Sequence, residues 1–154
     1  MPDRLTILVV YSRPAQPGGM DVSSEAELKL LRDHGHDVHE LVRNNEDPEA
    51  YSLAQKTRLR LEVAMNRSGL REVRQILGDL RVDILHARNL FRMFSPSIHT
   101  AALRAGAATI QDLRFHRHFC LPGNLRRDGR NCEDCLGKVA WRGVFHACVQ
   151  DSRL

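Results

Sequence analysis

Short apolar runs alternate with amphipathic stretches through the first 113 positions, and after Leu113 the alternation stops. Leu5–Tyr11 is almost unbroken hydrophobic and rich in β-branched residues, the pattern of a strand buried on both faces. A loop punctuated by Pro14, Pro17, Gly18 and Gly19 follows. A helix is predicted from near Asp21 to Gly35. Ser24 and Glu27 stand at capping-box spacing, Asp21 is an equally good N-cap, and Gly35 suits the left-handed residue that closes a helix. His36–Val42 reads as a second strand and Arg43–Glu49 as a loop. Ala50–Met65 has helical composition. Asn66–Gly69 looks like a break, with Ser68 a new N-cap. Leu70, Val73, Ile76, Leu77 and Leu80 then keep helical spacing. Val82–His86 is a third strand. Ser95 and Pro96 suit a cap and a first helical position, opening a helix over Pro96–Ala105 that stops at Gly106. Ala108–Leu113 is a fourth strand.

Strands alternating with helices through short links imply a parallel sheet with right-handed crossovers, its helices on both faces. Ligands of such sheets meet the carboxyl ends of the strands. The order strand, glycine loop, helix N-terminus also sets bare N–H groups and a positive dipole end at that edge, where anions bind well. Gly18, Gly19, His86, Arg88, Asn89, Asp112 and Arg114 are therefore expected to face one crevice. Arginine offers a two-pronged donor for phosphate or carboxylate, and a histidine beside a carboxylate can act as a base. Each has a plainer reading. For the glycines it is a simple tight turn, for His86 a hydrogen-bonded structural histidine at a strand end and for Asp112 a helix or turn cap. The chain has no GxSxG, HExxH, GxGxxG or Walker phosphate loop.

Composition narrows the class. A chain of 154 residues, 42% hydrophobic and 27% charged, is long enough to bury a core. No apolar run approaches the ~20 residues of a membrane helix. No secretory leader stands out at the N-terminus, so a cytoplasmic setting with reduced thiols is expected. The net charge of +4 lies wholly beyond Leu113: Arg114 to Leu154 holds eight Lys or Arg against four acids, and residues 1–113 are balanced. A basic end can face phosphates, lipid head groups or nucleic acid, or be only a solvated surface. This end has four cysteines, Cys120, Cys132, Cys135 and Cys148, spaced C-x11-C-x2-C-x12-C. The C-x2-C pair suits a metal knuckle, and four thiolates make a closed structural zinc site. His116, His118 and His146 are substitute ligands. Reduced buried thiols or a redox pair are the alternatives, the redox pair being the weaker because the C-x2-C does not open a helix after a strand. A second functional reading follows from this end alone: a zinc-stabilised module binding nucleic acid or protein. Aromatic content of 5% argues against a single-strand nucleic-acid surface.

The stretches ILVVYSRPAQPGGMDVSSEAELKLLRDHGHDV, VDILHARNLFRMFSPSIHTAALRAG and CLPGNLRRDGRNCEDCLGK, with the later GVFHACVQDSR, resemble the N-terminal domain of the GT-B glycosyltransferases of family 4. These are retaining, sugar-nucleotide-dependent enzymes, and the likeness runs nearly end to end. It implies a Rossmann-like, incomplete α/β lobe that mostly binds the acceptor, a glycan or lipid-linked sugar, followed by an irregular Cys-rich segment similar to an insertion in one branch. It implies no cofactor for the chemistry, so any zinc is the structural one that the cysteine spacing suggests, and the expected location is the cytoplasm or the periphery of the inner membrane face. Gly18 and Gly19 would lie at the cleft floor, and His86 and Asn89 match family positions after the third strand. The chain departs from the pattern at Arg88 and Arg114, where histidines are usual. The donor-binding lobe with its paired glutamates is not within these residues. The isolated chain is thus expected to be inactive alone, and a fragment, a truncated frame or half of a split enzyme completed by a second chain would each account for it.

Overall fold

The computed structural model describes residues 4–13, 18–44, 66–90, 93–139 and 141–149. The expected helix over Ala50–Met65 and most of the loop before it lie outside them. The chain divides into two compact units, Met1–Asp112 and Leu113–Leu154, so the break comes one residue before the change in composition.

The first unit runs β1 (Thr6–Arg13), α1 (Gly19–Asp33), β2 (Asp37–Asn44), α2 (Arg67–Asp79), β3 (Ile84–Ala87), α3 (Ser97–Arg104) and β4 (Ala108–Gln111). The strands form one sheet in the order β2-β1-β3-β4, each neighbouring pair parallel. β1 is central and buried from Ile7 through Ser12, which is why its sequence is a continuous apolar run. Its side chains alternate between faces. Leu8 and Val10 join Leu85 and Ala87 beneath Val73 of α2 and Ile98 and Ala102 of α3. Ile7 and Val9 lie beneath Leu28 and Leu31 of α1. The result is a Rossmann-like α/β sheet with helices on both faces, as the alternation predicts.

Several helix ends differ from expectation. α1 begins at Gly19, with Gly18 as its extended N-cap residue. Asp21 is not that cap. It sits one turn in, accepting the Gly18 N–H at 2.9 Å while its own N–H donates to the Gly18 carbonyl at 2.9 Å. Ser24 is buried within the helix and is not a cap either. Asn66, not Ser68, caps α2: its Oδ1 accepts the Gly69 N–H at 2.8 Å, and the Ser68 hydroxyl donates to the same oxygen. Pro96 is the N-cap residue of α3, and the Ser95 hydroxyl bonds to that of Ser97 at 2.6 Å. Gly35 and Gly106 take the left-handed φ of 84° and 85° that closing α1 and α3 requires. β1 and β2 extend two residues past their predicted ends, whereas β4 stops at Gln111.

The second unit has little regular structure: a 3-10 turn at His116–His118, a two-stranded antiparallel pair of β5 (Arg126–Arg127) and β6 (Arg130–Asn131), and α4 (Arg142–Phe145).

Candidate functional site

After β2 the chain returns across β1 to place β3 on its other side. The direction of winding reverses there, and in open α/β sheets ligands bind at the crevice outside such a reversal. The ladder between β1 and β3 is locally displaced at this end. Arg88 donates its N–H to Val10 at 2.9 Å in the regular parallel pattern. The next step of that pattern would send the Ser12 N–H to the Arg88 carbonyl. It goes instead one residue further, to the Asn89 carbonyl at 2.8 Å. The Asn89 carboxamide then donates back to the Ser12 carbonyl at 3.0 Å. The Arg88 carbonyl is taken by the side chain of Gln111, whose Nε2 donates at 2.8 Å and whose Oε1 meets His99 Nε2 at 3.0 Å.

Beneath α1 lies a set of charged and polar side chains. The Tyr11 hydroxyl donates to Asp21 at 3.0 Å, and Arg13 approaches the same carboxylate at 3.5 Å. Burial, followed by the bond to Asp21 and that carboxylate's charge, pushes the Tyr11 hydroxyl up to about 12. Further along α1, Glu27 forms an ion pair with Arg88 through one oxygen and stands 3.5 Å from His86 Nδ1 through the other. Arg88 is only 3% exposed. Its Nε and Nη1 are buried with no hydrogen-bond partner among the described residues, a costly state for a guanidinium.

The predicted residues fall into three groups. Gly18 and Gly19 are exposed at the start of α1. Neither takes a left-handed φ, and a Cβ added to either meets nothing within 4 Å. Among the described residues nothing crowds the pair, which opens the helix without a left-handed turn at either position. Asn89 closes the β1–β3 edge, and His86 faces α1 through Glu27. Asp112 carries the β3–β4 ladder one step further, its N–H donating to Ala87 at 2.9 Å. Arg114 is an exposed residue that belongs to the second unit. Sequence reasoning missed Tyr11, Arg13, Asp21 and Glu27 as members of the cluster. Glu27 had been matched to Ser24 by spacing, but its partners come from β3. The available signal was an arginine directly after an apolar strand, which calls for an acidic partner on a neighbouring element.

In the second unit the four cysteines are free thiols and all line one cavity of about 20 Å³, together with His146, Arg127 and others. Among the described residues, no group of three or more His, Cys, Asp or Glu is arranged to hold a metal ion as it stands. Arg127 binds Asp134 at 2.8 Å, which lowers that carboxyl and raises the guanidinium. Burial pushes the Cys148 thiol up, and its three cysteine neighbours push it the same way against Arg127.

Among the described residues no helix is long and apolar enough to cross a membrane. Compared with family models, curated proteins and solved structures, the chain matches none.

Proposed function

We propose that Met1–Asp112 is the acceptor-side lobe of a sugar-nucleotide-dependent glycosyltransferase. The observation that carries the reading is the winding reversal between β1 and β3, with an uncrowded glycine pair at the start of α1 on one side and Arg88–Asn89 on the other. The family-like motifs of the sequence supply the reaction class. Glycosyl transfer breaks the bond between the anomeric carbon and the donor diphosphate and forms one to an acceptor oxygen. The acceptor must be held still while negative charge builds on the leaving diphosphate.

The residues of this lobe suit the first task. The Ser12–Asn89 bonds fix the strand edge, and the start of α1 beside it carries the positive end of a helix dipole. Neutralising the diphosphate falls in this reading to a donor-binding lobe, so the chain binds without turning over. Titration of the 154-residue chain with oligosaccharides, lipid-linked sugar analogues and UDP- or GDP-hexoses tests this. Saccharide binding that weakens at least tenfold in Asn89→Ala, with weak nucleotide binding and no transfer, is expected. No saccharide binding across the panel overturns the lobe assignment, and robust transfer by the chain alone overturns the division of labour.

A further inference from the structure

A unit of some forty residues ordinarily needs more than an apolar core to stay folded, and among its described residues Leu113–Leu154 shows no apolar cluster of its own. Both hydrophobic clusters lie in the first unit. Among the described residues beyond Asp112, Cys120 is the only buried hydrophobic side chain, while Val139, Trp141 and Phe145 are each more than 60% exposed. What these residues share at their centre is sulfur: three separate segments bring Cys120, the Cys132–Cys135 pair and Cys148 to one cavity.

We propose that Cys120, Cys132, Cys135 and Cys148 bind one zinc ion as four thiolates, and that this ion replaces the missing core of the second unit. The donor set is the one that favours a closed tetrahedral zinc site. Two residues between Cys132 and Cys135 let both sulfurs reach one ion, and left-handed Gly129 and Gly137 turn the chain on either side of them. Binding displaces the thiol protons and leaves the centre with a net charge of −2. Arg127 and Arg142 line the same cavity and offset it, Arg127 being held by Asp134 at 2.8 Å. Neutral thiols have no cause to crowd within ~2.3 Å of a common point, and it is the ion that draws them there. The site thus closes as it fills, consistent with four sulfurs that surround the cavity without meeting.

The test uses the full chain purified under reducing conditions without added metal. Elemental analysis is expected to find about one zinc per chain, lost in Cys132→Ser and in Cys135→Ser. Replacing zinc by cobalt is expected to give sulfur-to-metal charge-transfer absorption and the strong visible bands of a tetrahedral ion. That spectrum is read on the native sequence and decides the matter even if the serine variants fail to fold. Metal retained by folded Cys135→Ser overturns the proposal. So does a native chain with no metal and no cobalt–thiolate absorption, including one whose cysteines prove by mass to be paired as disulfides.

Discussion

Tyr11 shows how much a single side chain can carry near the carboxyl end of a central strand. It ends a run whose apolar character sequence alone identifies, yet its hydroxyl is tied to Asp21 on the following helix. Its folded-state pKa of about 12 lies above the ordinary 10. The folded form therefore holds the phenol proton more tightly. The resulting stabilisation is complete below pH 10 and is lost as pH rises through 12. Tyr11→Phe is expected to be less stable than the native chain by about 2 kcal/mol at neutral pH, the size of a buried hydrogen bond to a charged group. That gap should close progressively between pH 10 and 12 in urea titrations; a gap independent of pH would refute the assignment. Asp21 itself was legible as a helix-start residue. Its bond to Tyr11, like the pairing of Glu27 with Arg88 across 61 positions, was not, because periodicity and spacing report local neighbours and these contacts are made by folding.

Glycine has opposite meanings within α2. Gly78 is open on all sides, whereas a Cβ on Gly69 would stand 2.8 Å from the Met93 carbonyl oxygen and 2.9 Å from the Phe94 ring. Gly78→Ala is expected to raise stability by about 0.5–1 kcal/mol, the ordinary helical preference for alanine. Gly69→Ala is expected to lower it by about 1–3 kcal/mol, since backbone must move to admit the methyl. Thermal melts of the two variants check this, and equal shifts of the same sign would contradict it. The helix itself was legible from Leu70, Val73, Ile76, Leu77 and Leu80. Its cap was not: Asn66 and Ser68 are both good cap residues, and only the folded chain shows the Gly69 N–H donating to Asn66 Oδ1. The strand ends were misjudged for a related reason. β1 and β2 continue through polar Ser12, Arg13, Arg43 and Asn44 because they pair with one another, residue for residue, to the end.

For the whole molecule, the two units rest on different forces. Met1–Asp112 holds both apolar clusters, whereas Leu113–Leu154 converges on thiols. On the zinc reading, a strong chelator should remove ordered structure from the second unit and leave the first melting at its usual temperature. Hydrogen exchange of the full chain, with and without chelator, is the measurement. Faster exchange throughout β1 and β3 would show the two to be one cooperative body and would count against the reading. The parallel sheet was legible from the alternation of apolar runs. The convergence of the cysteines was only partly legible: spacing pairs Cys132 with Cys135, whereas grouping Cys120 and Cys148 with them was an expectation, and it is folding that brings all four to one cavity.

The doubled bond between Ser12 and Asn89 bears on how anything enters the β1–β3 edge. Spreading the two strands at that end would sacrifice a main-chain and a side-chain bond together. That end of the sheet is thus riveted, and its width is set in advance. On the acceptor-lobe proposal, adaptation to saccharides of different size falls to the surrounding connections, with the sheet as an anvil of fixed width.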